Sequence, residues 1–406
     1  MSQSTTEPMS FPNHARVVVR SVRGVFSEVL TTVGADAADP QSISRCLGLN
    51  KTLAWKISKI VGAEDPSVAL EQMPGAAGIK ILLKSIEKAG VGSTLLKNAR
   101  DAVEEYEDLI RVHAGDRATL EMMGNELSPE GHRKRDENHR KLLFQGASYV
   151  WGAQARVILK VAVVAPGRAP GTLDLAMLSG LLDFRRIRPD VAWVMASRHM
   201  KNDDGTELSI PTEAIDSRFS GPNQPPLLGD FCSSPMPELR RSIEGAVTYF
   251  ELPEGPVGNT AALTCMFGTM QRGVPRYRTP GNEWGEHSAN CDIPAESLVL
   301  DAYFHRDLGS AIPPQAVLVG KMGPAALHPG STRNRLPLHE PLRDAGMGAL
   351  PLTTPQVPQH RKLVASVFET AGWDPREFHT YRLRMAFPAF PSALVLRYPL
   401  PASPGD

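Results

Sequence analysis

Paired cysteines are missing from this sequence. Its four, Cys46, Cys232, Cys265 and Cys291, stand apart, with neither a CxxC pair nor the dense framework of a small secreted domain. A long hydrophobic run is missing too. The best stretch, residues 157–165, is broken by Lys160 and falls well short of the ~20 residues that span a bilayer. The opening MSQSTTEPMSFPNH lacks the basic-then-apolar layout of a secretion signal. No membrane partner and a cytoplasmic, thiol-reducing setting are therefore expected. Net charge is also absent: 44 Lys and Arg balance 44 Asp and Glu, so any electrostatic attraction for nucleic acid must be local. Enzyme signatures are lacking as well. The sequence holds no GxSxG elbow, no GxxxxGK[ST] phosphate loop, no HExxH and no GxGxxG. PGAAGIK at residues 74–80 lacks the second half of a phosphate loop and reads as a turn opening a helix. No cofactor and no catalytic residue are assigned.

What is present is a soluble globular composition, 42% hydrophobic and 22% charged, in a chain too long for one ordinary core. Residues 1–13 read as a disordered lead-in. Over residues 14–33, Val18, Val22, Val25, Val29 and Val33 recur at helical steps, opposite a basic stripe of Arg16, Arg20 and Arg23. Residues 76–88 bury Ile79, Leu82, Leu83 and Ile86 and expose Lys80, Lys84 and Lys88. Residues 93–112 form a further helix with an acidic outer face. A helical domain is thus expected over residues 14–128, and a polar helical connector over residues 129–150. Beyond these lies an α+β effector or oligomerisation domain, residues 151–406, built on a mostly antiparallel or mixed sheet. Strand candidates there are residues 156–165, 191–196, 260–270, 297–305, 316–319, 381–386 and 393–398, with one helix near residues 357–371. Most of the 35 prolines and 34 glycines fall in this part and argue for many loops.

The densest local signal is DPQSISRCLGLNKTLAWKISKIV, residues 39–61. Asp39 can cap a helix whose first residue is Pro40, and Ile43 and Leu47 would line its buried face. Gly48 suits the left-handed end of that helix. Leu49 would plug the corner and Asn50 would cap a second helix burying Leu53 or Ala54, Ile57, and Ile60 or Val61. This arrangement resembles the helix-turn-helix of DNA-binding transcription regulators. A small residue, Ser44, lies four before the turn glycine, and Ala54 and Ile57 allow a close crossing. The family prefers alanine where Ser44 stands, and often a branched aliphatic where Ala54 stands.

The resemblance implies that the second helix enters the major groove and meets base edges. The DNA-facing residues would be Asn50, Lys51, Thr52, Trp55, Lys56 and Lys59, with Gln41 and Ser42 near a phosphate. It implies double-stranded DNA, a homodimer and a small-molecule effector as partners. Independently, residues 40–62 hold Arg45, Lys51, Lys56 and Lys59 and no acid.

Two stretches of the second half invite other chemistry. EWGEHSANCD, residues 283–292, gathers Glu283, Glu286, His287, Cys291 and Asp292, with Asp301 and His305 following. Their spacing fits no standard metal site, and a loop is the plainer reading. DFRRIRPD, residues 183–190, offers Arg185, Arg186 and Arg188 for an anion, or for a surface ion-pair network. The expectation is a DNA-binding transcription regulator with a ligand-sensing or dimerising second domain. The alternative is an enzyme, metal-dependent or not, with its site around Glu286, His287, Asp301 and His305.

Overall fold

The computed structural model describes residues 9–127, 132–199, 210, 212–221, 224–281, 283–308, 313–321, 333–348, 352 and 354–403. It separates into two compact units, Met1–Arg135 and Asp136–Asp406. The first is helical. Its elements are α1 (Phe11–Thr32), α2 (Pro40–Leu47), α3 (Lys51–Gly62), α4 (Pro66–Gln72), α5 (Ala76–Lys88), α6 (Ser93–Leu109) and α7 (Arg117–Asn125), with a π-helical turn at Ile110–Ala114.

Helix α1 starts at Phe11, inside the segment expected to be disordered; residues 1–8 of that segment lie outside the described residues. Pro12 suits a first helical turn, and the Phe11 ring packs edge-on to His113 at 5.7 Å between centroids. Val18, Val22, Phe26 and Val29 of α1 are buried with Leu70, Leu82, Val103, Tyr106 and Leu120 in one core. Helices α4 and α7 are short elements without a long apolar stripe. Each is started by an aspartate: Asp65 accepts the Ser67 amide and Asp116 the Thr119 amide, both common N-cap contacts. The acidic face of α6 (Asp101, Glu104, Glu105, Glu107, Asp108) is exposed.

Helix α8 (His132–Trp151) leads into the second unit, where Arg140 makes a buried ion pair with Glu340 and Phe144 meets Phe387. The strands of that unit are β1 (Ala153–Pro166), β2 (Thr172–Arg186), β3 (Trp193–His199), β4 (Thr212–Ala214), β5 (Arg240–Glu244), β6 (Val247–Leu252), β7 (Leu263–Pro275), β8 (Trp284–Cys291), β9 (Ala295–His305), β10 (Gln315–Gly320), β11 (Arg335–Leu336), β12 (Arg343–Met347), β13 (Phe378–Ala386) and β14 (Ser392–Pro399). A seven-stranded sheet runs β12-β13-β9-β1-β2-β7-β4, a four-stranded one β11-β10-β14-β8 and a three-stranded one β3-β6-β5. β1 and β9 pair in parallel within the otherwise antiparallel large sheet, so the sheet is mixed.

Alternation along β1 places the two cores. Ile158 and Val164 join Leu300, Phe304, Ala289 and Leu396, between the large sheet and the four-stranded one. Val157, Leu159, Val161 and Val163 face the other way, against Leu363, Val364, Val367 and Phe368 of α9 (His360–Ala371). Two stretches depart from expectation. β2 is a full strand although residues 172–182 carry no strand prediction, and residues 284–291 form β8 rather than a loop. β2 alternates buried and half-buried positions from Asp174 onward, and β8 buries every second residue from His287 to Cys291, which is the pattern of a strand packed on one face.

Candidate nucleic-acid interface

Local devices set the α2–α3 corner. The Asp39 carboxylate accepts the amides of Gln41 at 2.9 Å and Ser42 at 3.2 Å, and Pro40 takes the first turn, where no amide is needed. Gly48 ends α2 with φ 63° and ψ 31°, a region in which any Cβ is strained. Asn50 accepts the Leu53 amide at 2.8 Å and starts α3. Ser44 adds a tie across the turn: its hydroxyl donates to the Leu49 carbonyl at 2.6 Å. Ile43, Leu47, Leu49, Leu53, Ala54, Ile57 and Ile60 are all buried, and Val61 is half-buried. Ala54 is fully enclosed where α2 and α3 approach, so a larger side chain would push them apart.

The opposite side of α3 is polar and cationic. Asn50, Lys51, Thr52, Trp55 and Lys59 are exposed or half-buried, as are Lys56 and, on α2, Gln41 and Ser42. Trp55 retains 44% of its surface, which places it outside the core. The Lys59 ammonium stands 5.8 Å from the Trp55 ring centroid, one turn along the same helix. Among the described residues Arg45, Lys51, Lys56 and Lys59 have no carboxylate partner, so their charge is neutralised only by solvent ions. At the start of α2 the amides of Gln41 and Ser42 are held by Asp39, and the Ser42 hydroxyl oxygen accepts the Asp36 amide at 3.1 Å. A phosphate there would meet side chains rather than free amides.

The other basic stripes differ from this one. Arg23 donates to the Val61 carbonyl at 3.3 and 3.4 Å, so its guanidinium caps the end of α3 and ties it to α1. Arg16 binds the Asn13 side chain at 3.2 Å. Lys80, Lys84 and Lys88 project from α5 into solvent.

In the second unit the four residues of the enzyme alternative are dispersed. Glu286 on β8 lies beside Arg397 at 3.8 Å; burial pushes its carboxyl up and Arg397 opposes that. His287, its neighbour on the strand, points the other way into the core against Phe304 and Tyr398. Burial, and secondarily the Lys160 charge, push the His287 imidazole down to about 4. Asp301 and His305 sit on the opposite face of β9 from Phe304. His305 pairs with Glu377 at 3.1 Å. Asp301 is enclosed by Arg382 at 2.6 and 2.7 Å and by His360, whose Nε2 stands 2.7 Å from Asp301 Oδ2. The large sheet separates His287 from Asp301. Among the described residues no three His, Cys, Asp or Glu side chains stand together in a metal-binding arrangement.

Of DFRRIRPD, Arg186 donates to the backbone carbonyls of Val191 and Pro253, Arg185 pairs with Glu296 at 2.7 Å, and Arg188 lies 3.7 Å from Asp190. These arginines hold loops and strand ends together rather than gathering round a common point. Sequence reasoning passed over Lys160 except as an interruption of a hydrophobic run, although a lone lysine amid β-branched residues signals a charge carried into a core. Among the described residues no helix is long and apolar enough to cross a membrane. Compared with known proteins, the chain matches no family model and no curated sequence.

Proposed function

We propose that this protein is a DNA-binding transcription regulator that uses α2–α3 as a helix-turn-helix, with α3 as the helix that enters the major groove. The observation that carries the reading is the outward surface of α3. Lys51, Lys56 and Lys59 are cations without a carboxylate partner among the described residues, and they share a face with Thr52 and Trp55. They are borne on a corner fixed by Asp39, Gly48, Ser44 and Asn50. Lysines on such a face contact phosphates or guanine edges, and Thr52 and Trp55 can pack on thymine methyls. The second unit then acts as the ligand-sensing or dimerising domain, and the regulator works as a homodimer in the cytoplasm.

Selection of bound genomic fragments by the full-length protein tests this reading. The expected outcome is enrichment of a palindromic motif whose half-sites lie about 10–10.5 base pairs apart, or a multiple of that, as a dimer reading two successive major grooves requires. Recovery of fragments with no shared motif, at the level of a protein-free control, overturns it.

A further inference from the structure

Lys160 occupies the middle of β1, the strand at the centre of the large sheet. Its cross-strand neighbours are Ser179 on β2 and Leu300 on β9, and Ser179 in turn faces Phe267 on β7. Two adjoining cavities, of about 810 Å³ and about 640 Å³, open on this row and share Lys160, Ser179, Ala196, Ser197 and Phe267. Among the described residues Lys160 makes no hydrogen bond and no ion pair. The acids that line the cavities do not neutralise it: Glu213 is exposed, and Asp292 is held by Lys321 at 2.6 Å. The larger cavity holds a second cation, Arg198, which donates to the Thr212 carbonyl at 2.7 Å. His287 on β8, whose imidazole feels the Lys160 charge, is kept neutral chiefly by burial.

Lys160 is half-buried, and a cation partly withdrawn from water without a partner destabilises a fold, so an anion arriving beside it is favoured. The rest of the wall says what else that anion should carry. Met177, Phe219, Phe250 and Phe267 supply apolar and aromatic surface, while Ser179, Thr269 and Gln271 supply hydrogen-bonding groups. We propose that the paired cavities around Lys160 bind a small amphipathic organic anion, its carboxylate or sulfonate on the Lys160 ammonium and its apolar body against Phe250 and Phe267. Burial, which pushes the Lys160 amine down to about 8, leaves it mostly charged at neutral pH and easily returned to full charge by a bound anion. The site gives the second unit an effector class and rests on the regulator reading for that consequence alone.

The probe is 8-anilinonaphthalene-1-sulfonate, titrated by fluorescence into full-length protein, with octanoate as competitor. Wild type is expected to bind one equivalent, to release it to octanoate, and to melt at higher temperature with octanoate present. Lys160→Met should melt about 3 °C higher without ligand, since a half-buried charge without a partner is removed, yet bind the probe about tenfold more weakly and gain nothing from octanoate. Lys160→Arg, which keeps the charge, should retain binding. Equal affinity in wild type and Lys160→Met, or no saturable binding by wild type, overturns the proposal. Duplex-DNA affinity is measured in parallel on ligand-free protein, so failure of the anion site and failure of the DNA reading register in separate assays.

Discussion

Replacing Lys51, Lys56 and Lys59 together with alanine is expected to reduce affinity for a selected duplex on the order of a hundredfold at low salt. The slope of log K against log salt should flatten by about 3, roughly one unit for each phosphate that a lysine no longer neutralises. The three side chains are exposed or half-buried and make no ion pair among the described residues, so their removal leaves the core of the first unit intact. Thermal unfolding of the variant should match wild type closely, as surface substitutions of this kind do. Fluorescence anisotropy with a labelled duplex, at several salt concentrations, reads both quantities. Equal affinity and equal slope for the variant would place DNA contact elsewhere. A matching triple variant of Lys80, Lys84 and Lys88 separates local from generic charge: it should weaken binding far less, because those lysines lie on α5 rather than α3.

The second large effect concerns stability. Asp301 is fully enclosed and Arg382 nearly so, and their two hydrogen bonds of 2.6 and 2.7 Å join β9 to β13. Burial would by itself raise the Asp301 carboxyl; the Arg382 and His360 hydrogen bonds outweigh it and hold the group below the ordinary carboxylate range. Arg382→Met should therefore cost about 3–5 kcal/mol in urea unfolding at neutral pH, because it leaves the buried Asp301 carboxylate without its arginine and with His360 as its remaining side-chain partner. The pH dependence has a definite sign. A carboxyl depressed in the folded state contributes stability above its unfolded value of 3.8, and loses it as pH falls through the lower folded value. In Arg382→Met the buried carboxyl should instead be raised, so the folded variant gains by taking up a proton. The stability gap between the two proteins should thus narrow from pH 7 toward pH 4. A gap independent of pH would mean that Arg382 acts through packing alone.

The parts of the fold that could be read in the sequence are those governed by neighbours along the chain. The α2–α3 corner is the clearest case: Asp39, Pro40, Gly48 and Asn50 each act on backbone within a few residues, and the structure finds them in the capping and turn positions their chemistry favours. Strands β1, β9 and β14 declared themselves through runs of valine, isoleucine and leucine. β2 did not, because Thr172–Arg186 carries five leucines with an alanine and a methionine, all of which favour helix; its pairing with β1 and β7 overrides that preference. β8 was hidden for another reason. Its buried positions are His287, Ala289 and Cys291, none of them β-branched, and its acids and amides suggested a loop. The false cluster of Glu286, His287, Asp301 and His305 has the same origin. Once residues 284–291 are a strand, Glu286 and His287 must point to opposite faces.

Candidate sites follow the same division. The lysines of α3 were legible because one helix presents them together. The Lys160 cavities were not, since Ser179 and Phe267 reach β1 by strand pairing within the large sheet, while Arg198 and Phe250 come from the separate three-stranded sheet. Arg23 shows the limit of counting charge on a helix face. It belongs to a basic stripe in sequence, yet its guanidinium is committed to the Val61 carbonyl.

Lysine footprinting tests most directly whether α3 is the surface that meets DNA. Full-length protein would be acetylated briefly with and without a selected duplex, and the modification at each lysine quantified by peptide mass spectrometry. Lys51, Lys56 and Lys59 should be protected several-fold by duplex, while exposed Lys97 on α6, beside the acidic face, stays as reactive as in free protein. Protection confined to other lysines, or uniform reactivity with duplex bound, would contradict the assignment of α3 as the DNA-reading helix.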